Sequence, residues 1–313
     1  MNYVRLGNSG LKITELTFGT ALTIGTENSS EQYAQELIDT AWDCGIRSFD
    51  TSNNYGNGEA ERLLGKALTK YPRQDYVLST KGSWPVGDGV YYSGLSRKHI
   101  LWAFNKSIER LNTEYIDVYY AHRPDNEVTM EEVARTFNNL IESNKILYWA
   151  TSEWSIEQLS ELYNVCDKLG LEKPITEQFI YSYAITKAES NGVKEKCDSE
   201  GVGTLAFSPL AQGLLTGKYS NGIPENSRIA KSKLISYDKT QAIFEQNKAR
   251  IEFFINTCNE YDIGGNAAAL QWCVRKSIFP VIGASKPQQI RDNVESLNVE
   301  IPDRFWSKLE ANV

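Results

Sequence analysis

Two histidines in 313 residues, His99 and His122, leave little room for histidine-based metal chemistry. Five cysteines (Cys44, Cys166, Cys197, Cys258, Cys273) contain no C-x-x-C pair and leave one over, so they read as buried small hydrophobes rather than a disulfide framework or zinc site. No metal is expected. An apolar run of about 18 residues is also missing, which argues against membrane insertion. Met1 to Gly10 lacks the basic region and apolar core of an export signal, so a cytoplasmic location is expected. The chain has no excess of basic residues either. Its 33 Lys and Arg against 40 Asp and Glu give a net charge of −7, the wrong sign for broad affinity to nucleic acid.

What is present is alternation. Strand-like runs at Thr17–Ala21, Ser48–Ser52, Val77–Lys81, Val118–Arg123, Leu147–Ser152, Ile175–Tyr181, Thr204–Ser208 and Val281–Ser285 are separated by amphipathic stretches with apolar residues at three- and four-residue steps, such as Ala34, Leu37, Ile38 and Ala41. Ser29 with Gln32, Thr129 with Glu132 and Ser155 with Gln158 read as helix caps. Strand–helix–strand units of this length require a parallel sheet, and eight of them fit a closed (β/α)8 barrel. Tyr3–Leu6 and Leu11–Thr14 form a hairpin able to plug its N-terminal end. No glycine-, serine- or proline-rich linker interrupts the pattern, so one domain over residues 1–313 is expected. An open doubly wound sheet is the alternative, but Gly56/Gly58, Gly87/Gly89 and Gly201/Gly203 all lack the third glycine of a dinucleotide fingerprint. The run Gly213–Lys218 has its glycines one residue short for a phosphate loop, and Tyr219 stands where a magnesium-ligating hydroxyl belongs.

In such a barrel the chemistry sits at the C-terminal ends of the strands. Asp50, Lys81 and His122 end three consecutive predicted strands, and Tyr55 follows Asp50 by five residues. Each alone is ordinary: an Asp–Lys pair can be structural, a turn Tyr can be packing, and a strand His can be core. Together they suit proton donation to a carbonyl. A phenol with an ordinary pKa near ~10 needs its anion stabilised; a neighbouring ammonium held by a carboxylate does that, and an imidazole can orient the oxygen. Two long connections, 82–96 and 209–240, would cover the site. The first offers Trp84, Tyr91 and Tyr92 as an aromatic wall, joined by Arg123 and Trp154. These predict aromatic or medium-chain aldehydes as substrates in preference to sugars or sugar phosphates, with Arg123 favouring a carboxylate or other polar tail. The alternative is that the aromatics pack against barrel helices or a subunit interface.

The runs Gly45-Ile-Arg-Ser-Phe-Asp-Thr-Ser-Asn-Asn-Tyr-Gly56 and Gly58-Glu-Ala-Glu61, with Lys81 and His122, resemble the aldo-keto reductase pattern over almost the whole chain. Gly94-Leu-Ser-Arg-Lys-His-Ile100, Arg123-Pro-Asp125, Gly217-Lys218, Ser227-Arg228 and Gly283-Ala-Ser285 are similar to the branch of the voltage-gated potassium channel β subunits and related bacterial reductases. The resemblance implies a barrel that binds NADPH and reduces aldehydes or ketones. It implies Tyr55 as general acid, Lys81 as the group lowering its pKa, Asp50 as lysine's partner and His122 as the carbonyl-orienting residue. Many channel β subunits carry Asn at that last position, so His122 points to a working reductase. By the same resemblance Thr20 and Asp50 flank the nicotinamide ribose, and Ser152 and Gln178 bond the carboxamide. Phe207, Ser208, Pro209 and Leu210 line the pyrophosphate and ring, while Lys218 and Arg228 clamp phosphates. Gly283 belongs to the cofactor site, Ser285, Lys286 and Gln289 surround the 2′-phosphate, and Asp292 and Asn293 face the adenine. A cation at Lys286 just before a helix beginning near Pro287 makes independent sense beside a doubly charged phosphate. Gln289 stands where many reductases have Arg, so a softer preference for NADPH over NADH is expected. A homotetramer is also implied. Two functions stay open at this point: an autonomous carbonyl reductase, and an NADPH-binding regulatory or redox-sensing subunit. His99 reads as a surface residue at a helix start, without a role.

Overall fold

Parallel strands must hydrogen-bond on both sides unless the sheet has an edge, and this sheet has none. In the computed structural model, which describes residues 1–26, 28–219 and 237–312, eight parallel strands close on themselves. After a hairpin of Tyr3–Arg5 (β1) and Lys12–Thr14 (β2), the barrel strands are Thr17–Gly19 (β3), Ser48–Asp50 (β4), Val77–Gly82 (β5), Ile116–Ala121 (β6), Ile146–Ser152 (β7), Thr176–Ile180 (β8), Gly203–Phe207 (β9) and Ile278–Ile282 (β10). Their order is sequential, with β10 pairing both β9 and β3. This is the (β/α)8 barrel.

The helices between strands are Glu31–Asp43 (α1), Glu59–Leu68 (α2), Arg97–Leu111 (α3), Met130–Glu142 (α4), Ile156–Leu169 (α5), Lys187–Ser190 (α6), Val193–Glu200 (α7), Tyr237–Glu260 (α8) and Gly265–Arg275 (α9), followed by Pro287–Ser296 (α10) and Asp303–Glu310 (α11). Helix α4 shows the logic: Met130, Val133, Ala134, Phe137 and Leu140 are buried at helical spacing, and the Thr129 hydroxyl accepts from the Glu132 amide at 3.2 Å. Helix α5 starts on a full capping box, with the Ser155 hydroxyl accepting from Gln158 N (3.3 Å) and the Gln158 carbonyl from Ser155 N (3.0 Å). At α1 the cap is Ser30, whose hydroxyl accepts from Tyr33 N, and not Ser29 with Gln32. The helix starts one residue later because the Asn28 side chain takes up the Ser30 amide and turns the chain there.

The hairpin closes the N-terminal end. Leu6 and Ile13 pack against Val118, Tyr120, Ala150, Leu205 and Val281, and Thr14 N donates to Ser48 Oγ at the start of β4. Gly7, at φ +59°, lies so close to β9 that a Cβ would sit 2.4 Å from Gly201 O and 2.6 Å from Gly203 N, so only glycine fits there. The last strand runs over 278–282 rather than 281–285. Pro280 sits inside it, opposite Ala206, where a missing amide would ordinarily exclude it from a central strand. Cys166, Cys197, Cys258 and Cys273 are buried free thiols, whereas Cys44 is half-buried. Among the described residues no helix is long and apolar enough to cross a membrane, and no cluster of His, Cys, Asp or Glu could hold a metal ion.

Candidate active site

The ends of β4, β5 and β6 are adjacent in the barrel, so the side chains that leave them meet. Lys81 Nζ donates to Asp50 Oδ2 at 2.5 Å and to Thr51 O at 3.0 Å, and both side chains are buried. Ser79 Oγ satisfies the other carboxylate oxygen at 2.8 Å. Tyr55 heads a short 3-10 turn, Tyr55–Gly58, in which Gly56 and Asn57 adopt left-handed backbone. That turn carries the phenol ring back over the pair, and Lys81 Nζ lies 5.5 Å from the ring centroid. His122 follows β6 directly, its amide donating to Gly82 O at 3.1 Å. Its ring meets Tyr55 edge-on at 6.0 Å. Asp50, Tyr55, Lys81 and His122 thus form one cluster at the C-terminal mouth.

Lys81 does pull the Tyr55 pKa down, but burial outweighs it and Asp50 opposes it, so the phenol sits above its ordinary value. The phenol therefore keeps its proton at neutral pH. His122 is held well below the usual imidazole range by burial and by the positive charges of Lys81 and Arg123, so it is neutral. Its Nδ1 lies 3.0 Å from Ser52 Oγ, which in turn is 2.7 Å from Asn54 Oδ1. Sequence reasoning missed Ser52. The residue stands two places after Asp50, but only the packing of β4 against β6 across β5 turns its hydroxyl to the imidazole.

Around the mouth, Thr20 is buried and donates to Thr51 Oγ1 at 2.8 Å. Ser152 and Gln178 are register partners on β7 and β8. The Gln178 side-chain Nε2 is buried without a hydrogen-bond partner among the described residues, a donor that the oxygen of a carboxamide would satisfy. Residues 207–210 lead out of β9 from its last residue, with Ser208 in left-handed backbone at φ +57°. Lys218 folds back over Gly213, where a Cβ would lie 2.6 Å from its Cε. Arg228 lies outside the described residues. Beyond β10, Gly283 has room around it, and Gln289 Oε1 accepts from Ser285 N (2.8 Å), Ser285 Oγ (3.2 Å) and Lys286 N (3.2 Å) at the start of α10. Lys286 is exposed beside this turn, Asn293 is buried, and Asp292 accepts from Gln288 at 2.7 Å. The set fits a nicotinamide dinucleotide, with an orphaned amide donor at one end and a helix N-terminus with a cation at the other.

Of the five residues expected to face a substrate, the structure brings two to the cluster. Trp84 meets His122 edge-on at 6.2 Å, and the Arg123 guanidinium lies 5.5 Å from the Trp84 ring. Tyr91 and Tyr92 instead pack outward on α3, under Lys98 at 3.7 Å and against Trp102 at 5.3 Å. Trp154 is a core residue, 2% exposed, its indole N–H donating to Ala121 O. His99 is not a surface residue either. Residues 82–96 fold over the first turn of α3, so His99 is fully buried, with Nδ1 3.1 Å from Tyr91 O.

Glu177 is a buried acid outside this cluster. From β8 it accepts from Trp154 N at 3.0 Å, and burial pushes its pKa up to about 8. An unfolded glutamate releases its proton near 4.5, so between that value and about 8 the folded state alone retains it, and stability falls as pH rises. Glu177→Gln, which keeps the acceptor and removes the charge, should flatten this slope and raise stability at pH 8 by on the order of a few kcal/mol. Thermal melts of both proteins from pH 5 to 8 check it; parallel curves would contradict it.

The sequence profile of the Aldo/keto reductase family matches residues 15–313. The chain is 35% identical over 310 residues to a protein of Schizosaccharomyces pombe, covering 97% of this chain and 90% of that one. It is 36% identical over 307 residues to proteins of Oryza sativa and Arabidopsis thaliana, covering 96% of this chain and 92% of each. All three carry names that assign them, provisionally, as voltage-gated potassium channel subunit beta.

Proposed function

The chain belongs to the aldo/keto reductase family, and from that premise we propose that it is an NADPH-dependent reductase of aldehydes or ketones. The observation that carries this reading is the protonated phenol of Tyr55 beside a buried, carboxylate-held ammonium and a neutral imidazole. NADPH, when bound, supplies the hydride to the carbonyl carbon. As the C=O π bond breaks, Tyr55 gives its proton to the oxygen and closes the O–H bond of the alcohol. Lys81 stabilises the phenolate left behind, and Asp50 with Thr51 O keeps that ammonium aimed. Burial keeps the proton on Tyr55 until a stronger base, the developing alkoxide, asks for it. His122 orients the carbonyl oxygen through Nε2–H. That tautomer requires Ser52 to turn its hydroxyl proton to Nδ1 and away from Asn54.

Thr20 and Asp50 would hold the nicotinamide ribose, Ser152 and Gln178 the carboxamide, residues 207–210 the ring and pyrophosphate, and Lys218 with Arg228 the phosphates. Gly283 would belong to the same cofactor site, Ser285, Lys286 and Gln289 would hold the 2′-phosphate, and Asp292 and Asn293 the adenine. The Gln289 carbonyl is spent on the loop amides, so its NH2 and Lys286 are what remain for the phosphate. This supports a preference for NADPH resting chiefly on one cation. The names of the relatives favour a second reading, an NADPH-binding regulatory subunit, in which cofactor binds without rapid turnover. A panel with saturating NADPH or NADH tests the proposal: benzaldehyde-type and medium-chain aldehydes should be reduced with higher kcat/KM than aldoses or sugar phosphates. The reverse order would contradict the assigned substrate class.

A further inference from the structure

Several cations around these strands are matched by carboxylates: Lys81 by Asp50, Arg73 by Asp117 and Arg110 by Glu61. Like Arg47 below β4, which among the described residues donates only to Trp42 O and Ile46 O, Arg123 has no such partner. It is half-buried at the mouth, and among the described residues no Asp or Glu pairs with it. Two neutral oxygens hold its Nη1, His122 O at 2.6 Å and Ser152 Oγ at 3.1 Å, which aims the guanidinium without neutralising it. Its other face lies over Trp84, which itself meets the His122 ring. The charge is felt at the reacting groups, since it opposes protonation of His122 and pulls the Tyr55 pKa down.

A clamped, half-desolvated guanidinium without a counter-ion, flanked by an indole and adjacent to the carbonyl-orienting residue, is built to receive an anion from outside the chain. We propose that Arg123 is a specificity-determining residue that pairs with a carboxylate on the substrate, so that the preferred substrates are oxo acids whose aldehyde or ketone is joined to the carboxylate by an aromatic or apolar spacer. The inference rests on the reductase reading. A carboxylate suits the site better than a phosphate, because one guanidinium matches a single charge and Lys81 is already paired with Asp50.

The test compares 4-carboxybenzaldehyde with its methyl ester in the wild-type protein, Arg123→Met and Arg123→Lys, with saturating NADPH. The wild type should favour the acid in kcat/KM by about tenfold or more, the size of one charge-assisted hydrogen bond. Arg123→Met should bring the ratio to about one or below, and Arg123→Lys should restore part of it. Any effect of Arg123 on the shared chemistry cancels in the ratio. Binding of benzoate against benzamide, followed by tryptophan fluorescence, reads the anchor without turnover. If neither aldehyde is reduced but benzoate binds and Arg123→Met abolishes that binding, the anchor stands and the reductase reading falls. A wild-type ratio near one, a ratio unchanged in Arg123→Met, or equal binding of benzoate and benzamide overturns the proposal.

Discussion

Replacing Tyr55 by Phe should lower carbonyl reduction by at least ~100-fold while NADPH affinity stays nearly unchanged. The substitution removes one oxygen and leaves the ring where it packs, 6.0 Å from His122. What is lost is the proton that meets the developing alkoxide. Water is a poor replacement, because it would have to enter beside a buried ion pair and donate without Lys81 arranged behind it. Steady-state kinetics with one activated aldehyde, together with a fluorescence titration of NADPH, separate the two effects. Near-normal turnover in Tyr55→Phe would remove the phenol from the mechanism.

Lys81→Met is expected to do damage of two kinds. Activity should fall about as far as in Tyr55→Phe, since the phenolate loses its counter-charge. Stability should fall as well, by roughly 3–5 kcal/mol, because Asp50 is only 3% exposed and would be left as an unpaired buried carboxylate with Ser79 as its remaining side-chain donor. The double variant Asp50→Asn with Lys81→Met removes both charges. It should recover much of the stability in denaturant melts and none of the activity. A double variant as unstable as Lys81→Met alone would mean that the cost comes from packing around the lysine stem rather than from the stranded charge.

The barrel could be read before it was seen because its periodicity is redundant. Eight strands each carry buried β-branched or aromatic residues, and caps such as Thr129 and Ser155 mark where the next helix begins. Asp50, Lys81 and His122 could be read for a related reason. Consecutive strands of a parallel barrel are neighbours, so polar residues at their C-terminal ends must converge. The errors have a common cause, in that they concern contacts which local spacing does not encode. Pro280 lies outside the expected run of 281–285, yet closure between β9 and β3 places it inside the strand. His99, Tyr91 and Tyr92 depend on how residues 82–96 fold onto α3, and Trp154 on the close approach of β6 and β7. The ammonium that pulls the Tyr55 pKa down is legible in the sequence, but the depth of burial that outweighs it is not.

The most direct test of the central claim is product formation under multiple turnover. Purified protein at low concentration, with excess NADPH and an activated aromatic aldehyde, should oxidise many equivalents of NADPH per chain and release the alcohol in equal amount, and Tyr55→Phe should suppress that reaction. If NADPH is bound but no more than about one equivalent is oxidised for any aldehyde or ketone, the protein holds its cofactor as a ligand and the reductase account is contradicted.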